Sequence, residues 1–144
     1  MVTHEGFRQS QRLRRRQRLR RYQRLRRCQR LGLDADFARI LAERCAVGND
    51  VLAVMVVRND SGESRLGLRV SKRVGNAVQR AYVRRRIREA FRRDQEAIPQ
   101  GYDILCMARS KALDRRVDLA QALRNLVAQA VRRHRERSAR KIED

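Results

Sequence analysis

The chain has 144 residues, and its 37 Lys and Arg outnumber its 16 Asp and Glu to give a formal net charge of +21. That length suits one domain rather than two, and that charge repels itself unless a polyanion neutralises it. With 4% aromatics and no Trp, a broad base-stacking platform is excluded.

Residues 1–30 form a compositional zone of their own. A six-residue unit, Q-R-L-R-R-x, begins at Gln11, Gln17 and Gln23 and starts again at Gln29. Its leucines (Leu13, Leu19, Leu25, Leu31) do not follow a 3.6 period, so they drift around a helix without making a stripe. The expectation is a disordered basic arm that binds phosphate without sequence preference. It is Arg-rich and acid-poor like a transit peptide, but too poor in serine and too regular for one.

The globular part, residues 31–133, is expected to open with a short helix. Asp34 or Asp36 caps it, Phe37, Ile40 and Leu41 share a face, and it ends near Ala46. Gly48 and Asn49 make a turn. Residues 51–57, V-L-A-V-M-V-V, read as a buried strand. Residues 59–62, N-D-S-G, read as a turn. Residues 65–70, R-L-G-L-R-V, alternate and read as a half-buried strand, antiparallel to the first through a hairpin. Residues 71–75 leave this strand, and Asn76 is the candidate N-cap of a helix from Ala77 to about Gln95. Val83, Ile87, Ala90 and Phe91 are its core stripe. After Pro99 and Gly101 comes a strand over residues 102–108, then a helix over 113–133. Leu119, Ala122, Leu123, Leu126, Val127 and Ala130 of that helix face inward. Residues 134–144 are a charged tail expected to fray. The whole reads as an α+β layer, a sheet with helices on one face.

Cys28, Cys45 and Cys106 lack metal-ligand spacing and read as free thiols in a reducing compartment. His4 and His134 lie near opposite ends, so no metal site is expected. No apolar run reaches the length of a membrane helix, and a cytoplasmic location is expected. Scattered carboxylates and remote histidines offer no catalytic constellation within the chain.

The binding chemistry concentrates on the central helix. Arg80, Arg84, Arg88 and Arg92 recur every four residues as a ridge off the apolar stripe, and Arg85 widens it. Like charges at that spacing destabilise a helix by a few tenths of a kcal/mol per pair, which points to a polyanion on this face. Arginine forks suit phosphate. Lys72, Arg73 and the helix start extend the same surface.

These residues also carry a resemblance. R-L-G-L-R-V-S-K-R-V-G-N-A-V-Q-R followed by R-R-R-I-R-E-A-F-R, with D-F-A-R-I-L upstream and G-Y-D-I-L-C-M-A-R downstream, is similar to the signature of the bacterial ribonuclease P protein family. The resemblance implies an α/β sandwich of order αβββαβα, as in some ribosomal proteins, with a left-handed βαβ crossover where general rules predict a right-handed one. It implies a subunit that binds the catalytic ribonuclease P RNA and the 5′ leader of precursor tRNA. That subunit promotes endonucleolytic leader removal with Mg2+ held mainly by RNA, and has no membrane or small-molecule partner. By position, Ser71, Lys72, Arg73, Asn76, Arg80, Arg84, Arg85, Arg88 and Arg92 would contact RNA, and Phe37, Val54 and Arg65 would line the leader cleft. The chain departs from the family at Arg80-Ala81-Tyr82, where R-N-R is usual, so an RNA contact at Tyr82 is in doubt; stacking on a base is one role open to it. Ribosome assembly and DNA architecture are the competing readings. The first does not explain the long motif. The second lacks the Asn or Gln base readers expected on an exposed recognition helix.

Overall fold

The computed structural model describes residues 30–31, 34–43, 45–59 and 61–143. The basic repeat of residues 1–29, with His4 and Cys28, lies outside them. The elements are α1 (Asp34–Ala42), β1 (Ala46–Gly48), β2 (Leu52–Arg58), β3 (Arg65–Val70), α2 (Ala77–Arg93), β4 (Tyr102–Ala108), a 3-10 turn (Ser110–Leu113) and α3 (Leu119–Glu143). This is the expected αβββαβα order.

The four strands form one sheet in the order β1-β2-β4-β3. β2 runs antiparallel to both β1 and β4, whereas β3 runs parallel to β4. The hairpin expected between residues 51–57 and 65–70 is therefore not formed. β4 inserts between those strands, and α2 is the crossover that parallel neighbours require.

Helices cover both faces of the sheet rather than the single face expected. On one face, Leu52, Val54, Val56, Leu66, Val70, Ile104 and Cys106 pack against α2 and α3. The α2 stripe of Val83, Ile87, Ala90 and Phe91 is buried there as expected. So are Leu119, Leu123, Leu126, Val127 and Ala130 of α3. On the other face, Met55, Val57 and Leu105 pack with Leu31 and Ile40, and Phe37, Leu41 and Met107 close the edge. This smaller layer belongs to α1.

Boundaries shift where side chains compete with helix formation. α1 stops at Ala42, and residues 46–48 pair with β2 instead of extending the helix. The Asn49 side chain then accepts from the Val51 and Leu52 amides at 2.8 and 3.0 Å, fixing the turn. α3 starts six residues later than expected because Asp118 caps it, accepting from the Gln121 amide at 3.0 Å. Its helix runs on through residues 134–143, where fraying was expected. Cys106 is buried, and that burial pushes its thiol up to about 12; Cys45 is half-buried, and both are free.

Candidate nucleic-acid interface

The N-terminus of α2 is built by a reciprocal cap. Asn76 accepts from the Gln79 amide and Gln79 accepts from the Asn76 amide, both at 2.9 Å. A Cβ at Gly75 would press on Gln79 at 2.2 Å, so glycine makes room for the closing residue. Val74 is buried beneath the turn and pins it. Ser71, Lys72, Arg73 and Asn76 are left exposed at the helix start.

The ridge continues from this cap. Arg85 and Arg88 are exposed, while Arg80, Arg84 and Arg92 are half-buried. None of the five forms an ion pair among the described residues. The Nε atoms of Arg80 and Arg92 are buried without a hydrogen-bond partner. Although Arg88 is exposed, desolvation of its guanidinium by the surrounding chain holds it below the usual arginine value, and repulsion from Arg30 and Arg84 adds to this. Arg30 joins the cluster because its backbone bridges to Leu66 on the β3 edge. The structure thus gathers the RNA-binding candidates into one surface that is deficient in negative charge.

The second candidate area lies between α1 and the sheet. Phe37 lies on Gly67, where a Cβ would sit 2.9 Å from its ring and 3.1 Å from Leu31. Beside it, Asp103 is fully buried and receives Arg65 through two bonds of 2.7 and 2.6 Å, with Asn59 at 2.8 Å and Arg39 as a further donor. Asp36 lies 3.8 Å from Arg65 and 3.9 Å from Arg39. The hydrogen bond to Asp103 raises the Arg65 pKa, against some desolvation. Two arginines and two aspartates leave this area near neutrality.

Phe37 and Arg65 share this face, but Val54 does not. Val54 is fully buried in the opposite layer with α2 and α3, because alternate β2 side chains point to opposite sides of the sheet. Met55 and Val57 are the β2 residues on the Phe37 side. Val54 is therefore withdrawn from the cleft.

Tyr82 is also not free to stack. The Cζ atoms of Arg85, Arg86 and Arg115 lie 5.7, 5.6 and 5.6 Å from its ring centroid. Arg86 and Arg115 were not candidates from sequence. Arg86 follows Tyr82 by one helical turn, a usable signal. Arg115 is remote in the chain and left none.

Among the described residues, no group of three His, Cys, Asp or Glu side chains is placed to hold a metal. No described helix is long and apolar enough to cross a membrane.

A ribonuclease P family profile matches residues 25–134. The ribonuclease P protein component of Clostridioides difficile (strain 630) is 38% identical over 96 residues, covering 65% of this chain and 84% of that protein. That of Thermotoga maritima is 37% identical over 81 residues, 56% of this chain and 69% of that one. The solved RNase P protein from Thermotoga maritima superposes with a TM-score of 0.63 at 35% identity, over 69% of this chain and 96% of its own. A solved Staphylococcus aureus RNase P protein mutant with defective mRNA degradation activity gives 0.64 at 33% identity, over 72% and 88%. The chain belongs to the ribonuclease P protein family.

Proposed function

We propose that this chain is the protein subunit of ribonuclease P, which binds the catalytic RNA along α2 and receives the 5′ leader of precursor tRNA beside α1. Its work is positioning and charge neutralisation between two RNAs. The observation that carries the reading is the unpaired ridge of Arg80, Arg84, Arg85, Arg88 and Arg92 running into the exposed turn at Ser71–Asn76, in a chain of this family. In this reading Mg2+ is held mainly by the RNA and the substrate. The complex acts in the cytoplasm as an endoribonuclease, and this chain supplies no reacting group. The arm of residues 1–30 adds non-specific phosphate contacts.

Cleavage of a precursor tRNA by the cognate catalytic RNA at low Mg2+, with and without this protein, tests the reading. Strong stimulation at the correct 5′ site is expected. Tight RNA binding without stimulation would favour ribosome assembly instead. If about six to eight phosphates are neutralised, log affinity falls against log salt with a slope of roughly −4 to −7. Replacing Arg80, Arg84 and Arg88 together by Gln should flatten that slope without unfolding the domain, since none belongs to the core cluster.

A further inference from the structure

Tyr82 is half-buried on α2, with one side packed against the main core. Three guanidinium groups surround its ring within 5.7 Å. Arg85 and Arg86 come from α2 itself. Arg115 comes from the connection between the 3-10 turn and α3. Three like charges about one ring repel each other, and the ring's negative face offsets only part of that.

Their other contacts differ. Arg86 donates to the carbonyls of Ala112 and Asp114 at 3.4 Å and of Val117 at 3.0 Å. It straps the connection to α2, which fixes where Arg115 stands. Arg116, one residue on, is bonded to Asp114 through two contacts of 3.2 Å. Arg85 and Arg115 are exposed and have neither a hydrogen bond nor a carboxylate partner among the described residues. Glu89 and Asp118 line the adjoining cavity of about 360 Å³ with Arg93, yet neither pairs with Arg115. The chain neutralises Arg116, anchors Arg86 and leaves two guanidiniums free on one ring.

We propose that Arg85 and Arg115, held about Tyr82, form a two-element clamp on the phosphodiester backbone of the catalytic RNA. The clamp rests on the RNA-binding reading above and carries that surface from α2 onto the connection before α3. Each of these exposed guanidinium forks suits the oxygens of a phosphate, and the two come from separate elements. Tyr82 is a positioning residue here: three guanidiniums lie over its ring, and it acts through them.

Salt-dependent binding of the catalytic RNA to the full chain is the test, with five variants beside the wild type. Arg115→Gln should weaken binding about two- to fivefold and reduce the steepness of the salt slope by roughly 0.7 to 0.9. Arg116→Gln should change neither, because its charge is already met. Tyr82→Phe should bind as wild type. Tyr82→Leu should weaken binding as much as Arg115→Gln, and the double variant should be no weaker than either single. Wild-type affinity and slope for Arg115→Gln would overturn the clamp while leaving the RNA-binding reading intact. So would equal losses from Arg116→Gln, or additive losses in the double variant. Arg115 is exposed outside the core, so that arm does not depend on whether Tyr82→Leu folds. A wild-type chain with no salt-dependent affinity for the catalytic RNA would sink both readings.

Discussion

Asp103 is the residue with most at stake beneath α1. Its carboxylate is fully buried, and Arg39, Arg65 and Asn59 fill its acceptor sites. A buried charge is tolerable only when it is bonded this completely. Asp103→Asn should lower stability by about 1–3 kcal/mol in urea unfolding, the loss being moderated because both arginines reach solvent. It also removes the counter-charge, so binding of a single-stranded leader oligonucleotide should tighten at low salt. The sequence offered Arg65 and Phe37 for this area but not their buried partner. Val54 went astray for a related reason. The β2 segment is apolar throughout because helices cover the sheet on both sides there, so no polar residue marks which side chains face α1. The Tyr82 cluster was invisible for a third reason: Arg115 reaches it from 33 positions away, through a strand and a turn.

At the level of elements, the chain signals its helices and strands locally, whereas strand pairing depends on distant partners. β3 was legible residue for residue because the face it turns to α1 keeps two arginines and a glycine, which preserves the alternation. The α2 start was legible because Asn76 and Gln79 have the spacing of a reciprocal cap. Asn76→Ala should cost about 1 kcal/mol of stability, measured by thermal or urea unfolding. A full unfolding of α2 would show that the cap does more than close one turn. The neighbour of β2 was misjudged because nearness in the chain favours a hairpin, whereas β4 supplies the longer apolar edge. In α3, His134 packs edge-on against Tyr102 at 6.0 Å. Burial lowers its pKa below the ordinary 6.5; Arg137, Lys141 and Arg58 push the same way, and Glu43 opposes them. The folded state therefore prefers the neutral ring. The associated stability is present above 6.5 and is lost as pH falls below it. Between about pH 7.5 and 5.5, the melting temperature of His134→Gln should fall less than that of the wild type.

Across the whole molecule, the sheet order β1-β2-β4-β3 puts the last strand made in second place from the edge. β4 bonds to β2 along residues 52–58 and to β3 along residues 65–70, so among the described residues it is the strand that joins them. A fragment of residues 1–100 should then show no cooperative thermal transition, although it contains β1, β2, β3 and α2. A sharp transition in that fragment would mean that α2 can organise β3 unaided. The consequence reaches into biosynthesis. In synthesis the apolar edges of β2 and β3 and the Val83, Ile87 and Phe91 stripe precede the strand that joins them, and such surfaces are open to aggregation until it arrives. Folding is thus one late, non-local event that waits for β4. During the wait the arginine ridge of α2 is already outside the exit tunnel, where RNA is abundant, so nascent chains of this protein should meet polyanions before they have a core.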